Sequence, residues 1–358
     1  MKKTLAVAAV LAAFAGVASA DVSLYGRIDT SMVYSATDND AGDVTESMTM
    51  NAGWTTGSRW GIKGSEKISD NLTVGFTLES GFSGDDGKSG QGGRLFGREA
   101  VVYAKGDFGA VYAGRLGAIT SDSGSLSLLG NASAFGNAYG LASMKYSTGT
   151  FMDRYDNVLG YVSPSFGGFN VQAMHSLKRG AADDKGTEGK ADAERYTAVG
   201  AKYVAGPLTV VATADYTDYG VYQTAHQKDG VNVVVGGNYK FDAFTAFAKV
   251  AYFDNVVGLA SAVGNKYANP MEGFGVEVGA AVPAFGGTVK ANVQYRQAEQ
   301  VADAADEFTL LAVNAAYEYK LSKMTHVYGA VGYAQEKAEK ADVTPFGYQA
   351  AVGIVHKF

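Results

Sequence analysis

From residue 21 onward the chain repeats one pattern, in which segments of about ten residues alternate apolar and polar side chains and then end in a turn. The alternation is clearest in four segments, whose apolar positions are Leu24, Ile28, Met32 and Tyr34; Leu72, Val74, Phe76 and Leu78; Phe274, Val276, Val278 and Val282; and Val289, Ala291, Val293 and Tyr295. Successive side chains of a β-strand point to opposite faces of the sheet, so this period of two predicts strands with one apolar face and one polar face. The fold is therefore predicted to be all-β.

Short and long connections alternate between the predicted strands. The short turns are predicted at residues 66–71, 105–109, 164–168, 204–207, 241–244, 283–287 and 320–324. The long polar loops are predicted at residues 36–57, 83–96, 116–152, 178–194, 218–229, 254–272, 298–306 and 336–345. Seven hairpins together with the first and last strands give sixteen strands, with both termini on the short-turn side. An even number of antiparallel strands with short turns at one end and long loops at the other is typical of a transmembrane β-barrel.

A soluble sandwich is the alternative all-β architecture. The composition favours the barrel, because the chain has 47 Gly, 22 Tyr and 18 Phe in 358 residues and only 18% charged residues, less than the quarter or so that is usual in soluble domains. Strands that cross a bilayer must close into a barrel, since hydrocarbon offers no partners to the backbone groups of a sheet edge. Sixteen strands enclose a cylinder too wide for side chains to fill, so the polar face is predicted to line water.

The first twenty residues differ from the rest. A basic start at residues 2–3 precedes an apolar run at residues 5–17, and the sequence Ala-Ser-Ala follows at residues 18–20. This order is typical of a secretory signal peptide, here cleaved after Ala20. A transmembrane helix is the alternative, but the apolar run is shorter than the roughly 20 residues needed to span a bilayer. We therefore expect a signal peptide at residues 1–20 and a single barrel domain at residues 21–358.

Charge and cysteine content exclude several classes of protein. Removal of the signal peptide takes away Lys2 and Lys3, which leaves 28 basic residues against 36 acidic ones. Nucleic acid is not expected as a partner, because domains that bind it are usually strongly basic. The chain has no Cys, which excludes a disulfide scaffold, thiol chemistry and Cys-ligated metals.

Residues for catalysis or for metal binding form no recognisable group. The histidines are His175, His226, His326 and His356, and none stands in a recognisable Ser/His/Asp arrangement, so an enzyme is not expected. The acidic loops at 36–57 and 178–194 lack the ligand spacing of a calcium site and are explained by solubility, although diffuse divalent-cation bridging to lipopolysaccharide stays open. No metal and no cofactor are predicted.

Six stretches of the sequence resemble the general porins of Gram-negative outer membranes in their β-proteobacterial form. They are DVSLYGRID at 21–29, SRWGIKGSE at 58–66, FGREAV at 96–101, FGAVYAGR at 108–115, the segment 157–169 ending in YVSPSFGGF, and VGIVHKF at 352–358. The resemblance covers the whole mature chain. It implies an outer-membrane homotrimer of sixteen-stranded barrels, in contact with lipid and lipopolysaccharide, whose third loop folds into the lumen. It also implies passive diffusion of small hydrophilic solutes and ions.

Five arginines are expected at nearly one level of the barrel wall. They are Arg27, Arg59, Arg98, Arg115 and Arg154. The first four lie six or seven residues from the periplasmic end of their strands, which puts them roughly 14–16 Å above the rim for a rise of about 3.3 Å per residue and a tilt of about 45°. Arg154 lies ten residues from its turn and is expected somewhat higher.

These arginines are expected to face the lumen, because an arginine that faces lipid at mid-bilayer costs roughly 2–4 kcal/mol. The apolar neighbours expected to face lipid instead are Ile28, Trp60 and Tyr112. By motif Arg59, Arg98 and Arg115 match the eyelet arginines of the resembled family and Arg154 matches less closely, while Lys63 is assigned to the same basic wall. The alternative is that the arginines only pair with wall carboxylates, of which Asp29, Glu79 and Glu99 are candidates.

The segment 116–152 corresponds by position to the family's constricting loop. Its only charged residues are Asp122 and Lys145. Arginines without matching carboxylates raise the local concentration of anions in a narrow water-filled cleft, so the sequence predicts a pore that prefers small anions. A substrate-specific porin with a binding site in the lumen stays open as the alternative.

The last strand ends on an aromatic residue. One face carries Phe346, Tyr348, Ala350, Val352, Ile354, His356 and Phe358. In the resembled family a terminal aromatic residue is the signal that the barrel-assembly machinery recognises, so Phe358 is predicted to be an assembly signal. The alternative is an ordinary aromatic residue at the edge of the barrel.

Overall fold

The computed structural model describes residues 21–149, 154–180, 186–220, 228–265, 267 and 270–358. The expected signal peptide, residues 1–20, lies outside the described residues. The strands are β1 Asp21–Asp38, β2 Val44–Ala52, β3 Arg59–Ser69, β4 Leu72–Gly81, β5 Glu99–Gly106, β6 Gly109–Gly117, β7 Arg154–Val162, β8 Phe169–Ser176, β9 Arg195–Ala205, β10 Leu208–Asp218, β11 Gly230–Lys240, β12 Thr245–Val256, β13 Met271–Ala284, β14 Gly287–Gln300, β15 Asp303–Lys320, β16 Thr325–Ala338 and β17 Phe346–Lys357.

These segments close into a barrel of sixteen antiparallel strand positions. Neighbouring strands pair in chain order, and β17 pairs with β1 from Arg27↔Lys357 to Asp38↔Phe346. The segments β2 and β3 together occupy one strand position, because β2 pairs with the C-terminal part of β1 and β3 with its N-terminal part. The predicted sixteen-stranded antiparallel barrel is thereby confirmed. Closure satisfies the backbone groups that an open sheet would leave unpaired.

The wall alternates as the sequence predicts. On β15, Leu311 and Val313 are exposed on the outer surface whereas Leu310, Ala312 and Asn314 are buried inside. Aromatic side chains are exposed on the outer surface beside the short turns, as expected for the periplasmic interface of a membrane barrel, and include Phe108, Phe166, Phe169, Tyr239, Phe241, Phe244, Phe285 and Tyr319.

Two of the predicted long loops are mostly strand. The predicted loop 36–57 contains the hairpin of β1 and β2, which turns at residues 39–43, and the predicted loop 298–306 is a turn between Gln300 and Asp303. Charged and small polar residues in these hairpins suggest loops, yet the backbone stays extended because each strand finds a neighbour beyond the membrane level.

Loop 3, the connection between β6 and β7, contains three short 3₁₀ helices, and its described residues 118–149 lie inside the barrel. Its helices are Leu129–Ala132, Gly140–Ala142 and Met144–Ser147; the other helical segment described is the single turn Gly90–Gly93 in the loop between β4 and β5. In the described residues no helix has the length and apolarity needed to cross a bilayer.

The hydrophobic core lies in the lumen, between loop 3 and the inner wall. Ile119, Leu126 and Leu128 of the loop are buried against inward-facing wall residues such as Met174 and Val211. The wall is often glycine where the loop approaches it most closely. At Gly200 an added Cβ would lie 2.7 Å from Ile119 and from Leu128, so only glycine leaves room for the loop.

Candidate constriction site

The site begins at the interruption of the wall between β2 and β3. Between β2 and β3 the chain leaves the wall at residues 53–58, where the Asp29 carboxylate accepts hydrogen bonds from the backbone N–H groups of Thr55 and Thr56 at 2.7 and 2.8 Å. The Thr55 hydroxyl also donates to Asp29, and the Tyr328 hydroxyl donates to its other oxygen, both at 2.7 Å. Asp29 is fully buried, so its charge is stabilised by these donors.

The interruption places Thr56 between two predicted wall arginines. Arg27 and Arg59 are register partners on β1 and β3, and both donate to the Thr56 hydroxyl oxygen, at 3.1 and 3.0 Å. Arg59 also donates to the carbonyl of Gly57 at 2.9 Å. A neutral oxygen therefore orients two guanidinium groups without cancelling their charge.

Glu79 is the wall carboxylate that contacts the arginines directly. Glu79 on β4 accepts a hydrogen bond from Nε of Arg98 at 2.6 Å and from the Tyr25 hydroxyl at 3.0 Å, and it lies 3.7 Å from Arg59. Of the candidate carboxylates, Glu99 instead accepts two bonds from Ser125 of loop 3. The wall carboxylates thus neutralise only part of the arginine charge.

A cavity of about 270 Å³ opens between these arginines and loop 3. Its lining includes the guanidinium-bearing residues Arg59, Arg98 and Arg154 and a single acidic residue, Asp122. The Asp122 carboxylate accepts two hydrogen bonds of 2.8 Å from Asn137, one from the backbone and one from the side chain. The cavity therefore presents three positive groups and one negative group to a solute.

Arg115 has a different environment. It does not line the cavity; it donates to Asp156 at 2.5 Å and to the carbonyl of Gly97, and Arg94 donates to the same carboxylate. The expectation that its neighbour Tyr112 faces lipid is wrong, because Tyr112 is buried in the lumen. The alternation of β6 is unbroken, since Ala110, Tyr112 and Leu116 are all buried, and Arg115 has the opposite parity. The register shift between β6 and β7 places its extra residue on β7, beside Asn157, whose φ is +53°.

The remaining predicted residues lie apart from the cavity. Lys63 stands lower on β3, with its Nζ 5.3 Å from the centre of the Tyr25 ring. Lys145 lies in loop 3 with its Nζ 4.8 Å from the Tyr146 ring. Phe358 closes the barrel seam at the periplasmic end, where it exchanges two backbone hydrogen bonds with Gly26.

Loop 3 is fixed to the opposite wall by a buried ion pair. Lys249 on β12 and Glu277 on β13 are both fully buried and lie 2.5 Å apart. Glu277 also accepts from the Ser133 hydroxyl at 2.6 Å, and Lys249 donates to the carbonyl of Met144 at 3.2 Å. A buried pair satisfied by further hydrogen bonds fixes the geometry around it, so the loop surface that faces the arginines is held in place.

Sequence reasoning misses three residues that shape this site. Thr56, Gln91 and Asp156 either line the cavity or hold an arginine, and all three lie outside the regular alternation. Thr56 lies in the interruption between β2 and β3, Gln91 lies in a loop, and Asp156 lies beside Asn157, whose φ is +53°. The described residues contain no group of three or more His, Cys, Asp or Glu placed to hold a metal ion.

Comparison with known proteins gives consistent matches. A sequence model described as Gram-negative porin matches residues 6–339. An outer membrane porin protein of Bordetella pertussis is 32% identical over 400 residues, with all of both chains covered. A solved anion-selective porin from Comamonas acidovorans superimposes with a TM-score of 0.69 at 24% identity, covering 95% of this chain and 100% of that one. The trimer form of OmpT from Vibrio cholerae gives 0.62 at 18% identity, covering 95% and 100%. These two structures share the barrel fold with the chain.

Proposed function

We propose that this chain, which belongs to the Gram-negative porin family, is a general diffusion channel that admits small anions in preference to cations. As a member of that family it is an outer-membrane channel for small hydrophilic solutes. The observation that carries the anion preference is the cavity beside loop 3, with Arg59, Arg98 and Arg154 against the single carboxylate of Asp122. In a narrow, water-filled passage such an excess of positive charge raises the local anion concentration. The anion-selective porin with the same fold supports the proposal.

Reversal potentials in a salt gradient test the preference. Purified protein in a planar bilayer is expected to give a potential of the sign set by chloride, and Arg59→Gln should reduce it. One unit charge at about 6 Å contributes roughly 0.7 kcal/mol in water, favourable for an anion and unfavourable for a cation, so the anion-to-cation permeability ratio should fall about tenfold. Arg195→Gln is the matched control, because Arg195 pairs with Asp218 at the other end of the wall. A cation preference in the wild-type protein, or equal ratios for all three proteins, would refute the proposal.

The alternative is a substrate-specific channel with a binding site in the lumen. The cavity of about 270 Å³ could hold a small anion, so conductance should be measured against the concentration of several small organic anions. Saturation by one of them at low concentration would favour this alternative. Conductance that rises in proportion to salt for all of them would favour general diffusion.

The proposed assembly is a homotrimer in contact with lipid and lipopolysaccharide. A fold shared with a porin solved in a trimer form supports it. Three equal closing steps at high voltage in a single insertion would be the expected signature, whereas single closures would indicate independent barrels. Phe358 is proposed to be read by the barrel-assembly machinery during biogenesis.

A further inference from the structure

We infer that loop 6 is a second narrowing element of this channel, which fills the outer part of the lumen in front of β12–β16 and confines solutes to the arginine-bearing wall. Loop 6 is the connection between β12 and β13, of which residues 257–265, 267 and 270 are described. The inference rests on the proposed channel function, but the position of the loop is tested independently of it.

The inner wall under loop 6 is apolar. Phe308, Leu310 and Ala312 alternate toward the lumen on β15, where a water-filled channel requires polar residues, and all three are buried. Leu259 of loop 6 packs in the cluster of Phe308, and Val263 packs in that of Leu310 and Ala312. The apolar wall is explained because loop 6 covers it.

Loop 6 also contacts loop 3. Val263 shares its cluster with Leu141 and Tyr146 of loop 3, both buried. Removal of loop 6 would expose that face of the constricting loop to water. The two loops therefore form one packed layer against β13–β16, and loop 6 extends that layer toward the outer end of the barrel.

A buried ion pair anchors loop 6 to the wall. Arg296 on β14 and Glu336 on β16 are both fully buried and paired across β15. Three groups of loop 6 donate to Glu336, namely the Ser261 hydroxyl at 2.5 Å, the Asn265 side-chain amide at 3.1 Å and the Tyr267 hydroxyl.

Arg296 completes the anchor. It donates to the carbonyl of Ala260 and to the Tyr267 hydroxyl, both at 2.6 Å. Burial raises the pKa of Tyr267 well above its usual range, so this hydroxyl keeps its proton as a donor to Glu336. Without the loop, a charged pair would face the lumen with most of its hydrogen bonds to the protein lost, so these bonds hold the loop against the wall.

The described residues of loop 6 do not line the cavity at the arginine-bearing wall. The cavity at Arg59, Arg98 and Arg154 lies between the wall and loop 3, on the far side of the lumen from β15. Loop 6 thus leaves open the part of the lumen that carries these three arginines. It adds little charge to the path, because Lys266 is the one charged residue in the sequence of residues 257–270.

The first test removes the anchor from the loop side and leaves the charges of the wall unchanged. Ser261→Ala with Tyr267→Phe takes away the hydroxyl groups that hold Glu336 and Arg296. Single-channel conductance is expected to rise while the sign of the reversal potential stays that of the parent. Ser47→Ala with Tyr252→Phe is the matched control, since both side chains are exposed and the same atoms are removed away from loop 6.

The second test reads the position of the loop directly. The chain has no Cys, so Val263→Cys provides a single thiol on the side of loop 6 that is buried against the wall. A membrane-impermeant maleimide is expected to label it slowly, and at least about tenfold faster when the Ser261 and Tyr267 hydroxyls are removed, because buried hydrogen bonds to charged groups oppose local opening. Thr49→Cys, which is exposed, should label fast in both backgrounds.

Unchanged conductance together with an unchanged labelling rate would overturn the inference, as would fast labelling of Val263→Cys in the parent. Slow labelling in a protein that forms no channels would refute the proposed function and leave the loop position standing. If the double variant does not fold, Leu259→Ala replaces it, since that change loosens the apolar contact alone.

Discussion

At the scale of single residues, neutral oxygens and backbone donors set the charge balance of the constriction. The Asp29 carboxylate accepts hydrogen bonds from residues 55 and 56 in the interruption between β2 and β3. The Thr56 hydroxyl, rather than a carboxylate, accepts from Arg27 and Arg59 and orients them. The excess of positive charge in the cavity therefore depends on which carboxylates are engaged elsewhere. Glu79 is the exception, because it contacts Arg98 directly.

Glu79→Gln is expected to increase anion preference. The variant keeps an acceptor for Tyr25 and Arg98 but removes the negative charge beside Arg98 and Arg59. A unit charge at about 6 Å contributes roughly 0.7 kcal/mol in water, with opposite sign for an anion and a cation, so the anion-to-cation permeability ratio should rise about tenfold in reversal-potential measurements. Glu66→Gln, an exposed change near the periplasmic end of β3, is the control and should leave the ratio unchanged. A lower ratio in Glu79→Gln would contradict the charge argument.

The Lys249–Glu277 pair offers a test of stability at the same scale. Lys249→Met leaves Glu277 buried without its cation and is expected to cost about 3–5 kcal/mol in the free energy of unfolding. Adding Glu277→Leu removes the uncompensated charge and should recover a large part of that loss, although the Ser133 and Asn292 contacts are lost too. Urea unfolding of the refolded barrels measures both. A double variant no more stable than Lys249→Met would show that the hydrogen bonds to loop 3, rather than the charge, dominate.

At the scale of elements, the alternation of side chains predicts the strands and fails where both faces of a strand are apolar. The strands from β8 to β16 and their short turns follow from a period of two, as does the inward face of Arg59. This period does not show which face of β6 is inside, because both faces are apolar, with Val111 exposed and Tyr112 buried. For this reason Tyr112 is assigned to the wrong face, and Arg115 ends beside Asp156 instead of in the cavity.

Loop 3 depends on close contact with glycines of the wall. A Cβ at Gly275 would lie 2.4 Å from the carbonyl oxygen of Ser147, a backbone atom that cannot rotate away. Gly275→Ala is therefore expected to displace the Met144–Ser147 helix, to cost about 1–3 kcal/mol in unfolding free energy and to change single-channel conductance. Gly329→Ala is the matched control, because its added Cβ would lie no closer than 3.8 Å to its neighbours. Equal conductance and stability of the two variants would mean that the loop is not held by this contact.

At the scale of the whole molecule, the lumen is divided into a packed part and an open part. The sequence predicts a polar lumen, and this holds at β1, β3 and β5, where Asp29, Arg59 and Glu99 face inward. It fails at β15, because Phe308 and Leu310 face inward beneath loop 6. Alternation identifies which residues share a face, whereas the cover of that face comes from a loop distant in sequence, which is anchored to Arg296 on β14 and Glu336 on β16.

Closure of the barrel gives Phe358 a structural role that can be separated from its proposed role in assembly. Its backbone exchanges hydrogen bonds of 2.9 and 3.1 Å with Gly26, and its ring lies over Gly26, where an added Cβ would be 2.3 Å from the ring. An aromatic ring that covers a glycine on a neighbouring strand stabilises the pairing of the two strands. The first and last strands are thus joined at their periplasmic ends by this contact.

Phe358→Ala is expected to destabilise the barrel even when no assembly machinery is present. The side chain is half exposed, so its removal should lower the free energy of unfolding by about 1–1.5 kcal/mol, roughly half the value for a fully buried phenylalanine. The measurement is urea unfolding of protein refolded from the denatured state into lipid vesicles, with Phe285→Ala as the control, because Phe285 is an aromatic residue of the same rim that is 90% exposed. If Phe358 serves only as an assembly signal, both variants will match the wild-type protein in vesicles and Phe358→Ala alone will accumulate poorly in cells. A lower unfolding midpoint for Phe358→Ala in vesicles shows instead that the residue also seals the seam between β1 and β17.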